Sequence, residues 1–193
     1  MVELRGTDAM IAVDPQVDFL PGGSLPVPRG DEVVPPLNRW LEAFAAAGLP
    51  VFASRDWHPP DHCSFRARGG PWPVHCVAGT AGAAFAPGLR LPPGTVVVSK
   101  ADAPEREDYS VFAATGLEEL LRARGVRRVF VGGLATEYCV LRTVEDALAK
   151  GFEVVLLEDS IRPIEAAPGD GRRALERMRG LGAVPARLAE AAA

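Results

Sequence analysis

The chain has 193 residues, of which 48% are hydrophobic and 24% charged, with a formal net charge of −4. A chain of this length buries a full core without disulfide or metal staples, and the balance is that of an ordinary soluble globular protein. The charge argues against nucleic acid as a partner, because such proteins concentrate Lys and Arg along the phosphate track. No membrane is expected either, since no stretch approaches the ~20 apolar residues of a span.

In chain order, the first predicted element is a strand at Met10–Val13. This run is too short for a signal-peptide core and lacks a basic flank and cleavage site, so export is not expected. A helix follows over Asp31–Ala47, with its prolines in the first turns and Gly48 as its stop. A second strand is Val51–Ser54. From Asp56 to Pro93 no strand or helix is predicted, but Gly, Pro, His and Trp abound, and such long connections are usually functional. Thr95–Ser99 is the third strand. A helix starts at Thr115, where Thr115 and Glu118 have capping-box spacing, and ends before Gly125. Arg128–Val131 is the fourth strand, followed by a helix from near Glu137 to before Gly151. Glu153–Leu157 is the fifth strand, Gly169–Leu181 the last helix, and Ala183–Pro185 a weak sixth strand. The closing stretch, 189–193, is expected to fray. The strands are continuous apolar runs, as befits burial on both faces. Their alternation with helices predicts an α/β fold: a doubly wound, mainly parallel sheet with helices on both faces, forming one domain over 1–193.

Ligands of open α/β sheets bind beyond the carboxyl ends of the strands. The first strand hands over Asp14, the second Arg55, Asp56 and His58, and the third Lys100. The fourth runs through Gly132 and Gly133 to Cys139. Cys139 falls at the predicted start of a helix, where N–H groups and the positive helix end favour a thiolate and an oxyanion. It is the candidate nucleophile; its alternative is a small buried apolar residue. Asp14 reads as a base or as a helix or turn cap, with Asp18 the better cap candidate. Lys100 closes an apolar strand, which is costly unless the charge is paired. An Asp–Lys–Cys set suits acyl transfer. All three histidines, His58, His62 and His75, lie in the long loop with Asp56. These are ligand types for a divalent metal, or else surface groups of a polar loop. Cys63, Cys76 and Cys139 are an odd number without a Cys-x-x-Cys pair, so a disulfide framework and a thiolate zinc site are both excluded. A reduced, cytoplasmic protein with at least one free thiol follows. Gly132-Gly133 lacks the remaining glycines of a dinucleotide fingerprint, and no Walker-type Gly-Lys-Ser/Thr occurs, which argues against a silent nucleotide-binding domain.

Several segments carry a resemblance in their order. They are Ile11-Ala-Val-Asp14-Pro-Gln16-Val-Asp18-Phe19, Gly22-Gly23-Ser24-Leu25 and Ser54-Arg-Asp56-Trp-His58-Pro-Pro-Asp-His62-Cys-Ser64-Phe65. Further on come Gly70-Pro-Trp72-Pro-Val-His75-Cys-Val, Ser99-Lys100, Asp108-Tyr109-Ser110-Val-Phe112 and Gly132-Gly-Leu134-Ala-Thr136-Glu-Tyr-Cys139-Val. As a set they resemble the isochorismatase-like hydrolases and, among them, the nicotinamidases. The resemblance implies a triad of Asp14, Lys100 and Cys139, with an oxyanion hole from the N–H groups of Ala135 and Cys139. It implies a cis Leu134–Ala135 peptide and an aromatic pocket of Phe19, Leu25, Trp72, Tyr109 and Ala135. It also implies one divalent metal on Asp56, His58 and His75, with zinc first and iron or manganese as alternatives. His62 lies where some members have an additional ligand, and its role stays open. Two positions depart from the family: Val17 stands where Asn is common, and Glu137 where Asp is common. Neither carries chemistry in the implied mechanism. The metal set favours nicotinamide, a small-molecule amide, as substrate; the alternatives are another isochorismatase-like amidohydrolase of a small amide, or a metal-bound water with a structural Cys139. The sequence leaves open a homo-oligomer.

Overall fold

The computed structural model describes residues 2–188, so the expected fraying of 189–193 lies outside the described residues. Six strands, β1 (Asp8–Val13), β2 (Val51–Asp56), β3 (Val96–Lys100), β4 (Arg128–Leu134), β5 (Glu153–Arg162) and β6 (Val184–Ala186), form one sheet. Its order is β3-β2-β1-β4-β5-β6 and every neighbouring pair is parallel. All six residues of β1 and all seven of β4 are buried, which is why 9–13 and 129–134 read as unbroken apolar runs behind the charged Asp8 and Arg128. The helices are α1 (Val34–Ala46), α2 (Leu117–Ala123), α3 (Leu141–Ala149) and α4 (Asp170–Gly180).

The helices cover both faces. Leu37, Trp40, Leu41 and Phe44 of α1, spaced by three and four, pack with Met10, Phe130 and Val155 on one face. Leu121 of α2, Val144 of α3 and Met178 of α4 pack with Ile11, Val131 and Leu156 on the other. No helix among the described residues is long and apolar enough to cross a membrane. The chain leaves β1 toward β2 and leaves β4 toward β5, in opposite directions. The crevice between the carboxyl ends of β1 and β4 is therefore the topological switch point, where open α/β sheets hold their ligands.

Four expectations need correction. The capping box does not form: Gly116, with φ 70°, is the N-cap of α2. Thr115 Oγ1 accepts from Leu117 N and donates to Val111 O instead, and Glu118 pairs with Arg122 and Lys150. The helix expected from Glu137 opens with a π-helical turn over Thr136–Val140, and α3 begins only at Leu141. Strand β5 runs five residues beyond Leu157. Its register against β4 jumps between Val131↔Leu156 and Gly133↔Ile161, and this bulge accommodates the polar Glu158-Asp159-Ser160. Asp18 caps no helix; its carboxylate is buried and accepts from the N–H groups of Ser24 and Cys76, joining two loops.

Candidate active site

Close approach of β1 and β4 sets the geometry. Gly133 has φ 134°, and a Cβ there would stand 1.9 Å from the carbonyl oxygen of Val13. Only glycine lets the two strand ends meet so tightly. Asp14 leaves β1 at φ 45°. Its N–H donates to Ser54 Oγ at 3.2 Å, and that hydroxyl donates to Asp14 Oδ1 at 2.7 Å. The Gln16 amide pairs with both the N–H and the carbonyl of Asp56, at 2.8 Å each, locking the end of β2 beside the end of β1.

Asp56 and Lys100 close their strands in register. Lys100 is buried, with Nζ 2.5 Å from Asp56 Oδ1, 2.9 Å from Asp14 Oδ2, 3.1 Å from the carbonyl of Asp108 and 3.4 Å from Cys139 Sγ. Thus Asp14, Lys100 and Cys139, from three separate strand ends, meet at one point. Burial alone would lower the Lys100 pKa, but the two carboxylates hold it well above its ordinary value, so the ammonium stays charged. Asp14 is pushed up to about 6, first by burial and then by the charge of Asp56, with Lys100 opposing. Its Oδ2 lies near Lys100 yet off the direction of a hydrogen bond, and has no other partner among the described residues. Burial pushes the Cys139 thiol well above its usual range, against the pull of Lys100, so the resting sulfur is neutral.

A second triad of side chains adjoins the first through Asp56. One donor atom each from Asp56, His58 and His75 lies within 4.8 Å of the others. His58 Nδ1 donates to the carbonyl of Ala101 at 3.1 Å and His75 Nδ1 to that of Pro73 at 2.8 Å. Both rings therefore turn an unprotonated Nε2 inward, the tautomer that backbone partners impose on metal-binding histidines. His58 is pushed down to about 4, chiefly by burial, and His75 is lowered for the same reason, so both are neutral. Asp56 Oδ1 serves Lys100, leaving Oδ2 for a cation. These residues fit a divalent metal with open positions. Asp14, Asp56 and Cys139 also lie within 4.8 Å of one another, but the Lys100 ammonium contacts all three, which makes that group an ion cluster. His62 has both nitrogens engaged: Nε2 donates to the carbonyl of Arg106 and Nδ1 accepts from Ser64 Oγ, while its ring stacks on His58 at 4.2 Å. In this arrangement it buttresses His58 and has no lone pair left for a metal.

Both groups open into one pocket. Phe19, Leu25, Trp72, Tyr109 and Ala135 line it together with Asp56, His75 and Cys139. Trp72 Nε1 donates to Tyr109 Oη at 3.0 Å, which fixes the two rings relative to each other. The Leu134–Ala135 peptide bond is cis.

A model of the isochorismatase domain matches residues 8–190. The chain belongs to the isochorismatase domain family. It is 36% identical to the nicotinamidase of Escherichia coli, over 94% of this chain and 95% of that one. Among solved structures, the pyrazinamidase of Pyrococcus horikoshii in complex with zinc is 49% identical, with a TM-score of 0.90 over 94% of this chain and 99% of that one. PnC1 of L. infantum in complex with nicotinate is 36% identical, with a TM-score of 0.88 over 97% and 96%. The six-stranded parallel sheet flanked by helices is that of the isochorismatase-like fold.

Within this isochorismatase-like frame, four lining residues escape sequence reasoning: Val27, Glu107, Tyr138 and Ile164. Tyr138 was open to detection, as an aromatic beside the candidate nucleophile. Ile164 follows the end of β5, and reading that strand through to Arg162 would have placed it at the same sheet edge. For Val27 and Glu107 the local sequence carries no signal, because both sit in irregular loops brought in by the fold.

Proposed function

We propose that this chain, as a single cytoplasmic domain, hydrolyses nicotinamide to nicotinate and ammonia in the salvage of pyridine nucleotides. One observation carries the reading. Cys139, backed by Lys100 and Asp14, lines one aromatic-walled pocket together with Asp56 and His75 of the Asp56–His58–His75 triangle, so a flat ring bearing a carboxamide would meet both groups at once. Asp56, His58 and His75 would hold a divalent metal, with zinc first and iron or manganese as alternatives; when bound it supplies a Lewis-acid contact for the pyridine nitrogen.

The chemistry belongs to the chain's own side chains. Asp14 Oδ2 takes the thiol proton of Cys139, and the fixed charge of Lys100 offsets the thiolate as it forms. Sulfur bonds to the carboxamide carbon, and the N–H groups of Ala135 and Cys139 receive the oxyanion. The C–N bond breaks as Asp14 returns its proton to the departing nitrogen, giving ammonia and a thioester. Asp14 then takes a proton from water, whose oxygen attacks the thioester carbon. The C–S bond breaks as Asp14 returns that proton to the departing sulfur, which restores the thiol and the Asp14 carboxylate, and the acid leaves as nicotinate after losing its proton to solvent. A pKa of about 6 suits a group that must be base, acid and base again near neutral pH.

Ammonia release over a panel of small amides, with metal content measured on the same preparation, tests the assignment. Nicotinamide should be turned over with stoichiometric nicotinate. A preparation that holds metal, ignores nicotinamide and cleaves another amide of the panel would overturn the substrate while leaving the amidohydrolase.

A further inference from the structure

The turn that carries Cys139 also grips one wall of the pocket. Glu137, two residues before Cys139, accepts the backbone N–H of Ile164 on Oε2 at 3.2 Å and that of Glu165 on Oε1 at 2.7 Å. Ile164 lines the pocket beside Cys139. The segment containing it leaves the end of β5 and enters α4. Its far end is fixed separately: the Glu165 carboxylate accepts from Gly169 N at 2.7 Å and Gly171 N at 3.1 Å. Pro163 lies flat on the first turn of α4, since a Cβ at Gly171 would meet its ring at 2.5 Å. Glu165 holds φ 56°, a left-handed conformation uncommon for a residue with a side chain. The segment is thus pinned against α4; Glu137 holds its backbone from the turn that carries Cys139, while the Ile164 side chain packs on the apolar cluster that includes Phe19, Leu134 and Ala135.

We propose that Glu137 is a positioning residue for substrate, which sets the Ile164 wall of the pocket by clamping the N–H groups of Ile164 and Glu165. The inference rests on the nicotinamide reading for its substrate, not for its geometry. A carboxylate offers two acceptor oxygens to two parallel donors. A Gln side chain offers one oxygen and would turn its own N–H groups toward the second donor. Ile164 lines the pocket with an apolar side chain that takes no part in the proposed chemistry, so its contact with a bound ring would be equal in ground and transition states. Loss of the clamp should therefore appear in KM and leave kcat alone.

The test compares Glu137→Ala, Glu137→Gln, Ile164→Ala and the double variant Glu137→Ala/Ile164→Ala on metal-loaded enzyme. Amide hydrogen exchange at Ile164 and Glu165 needs no substrate, and in Glu137→Ala it should quicken on the order of tenfold, the scale of one lost charge-assisted hydrogen bond. KM for nicotinamide should rise about tenfold with kcat nearly unchanged, and Glu137→Gln should fall between. The double variant should add little to Ile164→Ala, because both act on one wall. Alkylation of Cys139 by iodoacetamide should keep its rate. Unchanged exchange and KM would overturn the proposal and assign the wall to Pro163 on α4. A fall in kcat with altered alkylation would also overturn it, by making Glu137 a support of the nucleophile turn. A wild-type enzyme that ignores nicotinamide would refute the substrate reading, whereas the clamp is judged by the exchange rates.

Discussion

The paired strands β1 and β4 carry a buried carboxylate and a buried cation nearby at each end, and the two ends are built differently. At the amino end, Asp8 and Arg128 face each other in register. Arg128 Nε and Nη2 reach Asp8 Oδ1 and Oδ2 at 2.8 and 2.6 Å, Nη2 also reaches the carbonyl of Glu3 at 2.7 Å, and Arg5 N donates to Asp8 Oδ2 at 2.7 Å. Both carboxylate oxygens are satisfied, and planar guanidinium against planar carboxylate is a fixed geometry. At the carboxyl end, one lysine serves two carboxylates and a thiol, and Asp14 Oδ2 lacks a directed partner. The closed pair holds structure. The open cluster keeps one oxygen in reserve, at the cost of an ionised carboxylate that the fold does not favour.

Mutation of the sulfur should break the open end most severely. Cys139→Ala is expected to lower kcat by about 10⁴-fold or more with the fold intact, measured by ammonia release and circular dichroism. Cys63→Ala and Cys76→Ala should remain active, since neither thiol lines the pocket. If Cys139→Ala stays active, the nucleophile is a metal-bound water.

Replacing the carboxylates sharpens the contrast. Asp14→Asn should lose about 10²–10⁴-fold in kcat and remain folded. The fold already raises Asp14 from 3.8 to about 6, so the uncharged side chain is the form it tolerates, and Lys100 keeps Asp56. Asp8→Ala should do the reverse. Stranding Arg128 should cost about 3–5 kcal/mol of stability, read by chemical denaturation, while kcat of the folded enzyme holds. Equal activity losses for the two variants would erase the distinction between the ends.

The metal triangle gives the next largest effect. Benzamide has the carboxamide of nicotinamide without its ring nitrogen, and its kcat/KM should be lower on the order of 10²-fold. Pyrazinamide should remain a substrate. The aromatic walls hold any flat ring alike and do not create this difference. His58→Ala and His75→Ala should both reduce bound metal, measured by elemental analysis. Full metal content in both variants would place the ion elsewhere.

The smallest effect is that of pH. With its pKa raised to about 6, the proposed base role of Asp14 predicts that kcat/KM declines by up to about tenfold per unit as pH falls below that point. The limb belongs to the coupled Asp–Lys–Cys set. A flat profile from pH 7 to 5 would remove Asp14 from the first step.

Much of this geometry was legible in the sequence for a physical reason. Strands buried on both faces must be apolar, so an Asp14 or Lys100 that ends such a run stands out, and parallel topology sends every such residue to one edge. Contact between those residues was legible only through the family resemblance. That Asp56 and Lys100 pair, and that Asp14 and Cys139 meet at the switch point, depends on strand order, which no local pattern encodes. β5 was read short because Glu158-Asp159-Ser160 looks like loop, whereas a bulge absorbs it. The capping box at Thr115 failed because Gly116 takes the left-handed entry to α2. Ile164 is missed with the end of β5, whereas Val27 and Glu107 carry no signal because pocket walls drawn from loops have no periodicity.

The central claim is that the carboxamide carbon passes through a thioester on Cys139, and hydroxylamine partitioning tests it most directly. Metal-loaded enzyme turning over nicotinamide in the presence of hydroxylamine should yield the hydroxamate alongside nicotinate. The hydroxamate share should rise with hydroxylamine, and Cys139→Ala should form neither product. Nicotinate alone at every hydroxylamine concentration, with turnover surviving in Cys139→Ala, would contradict the account and make water the direct nucleophile.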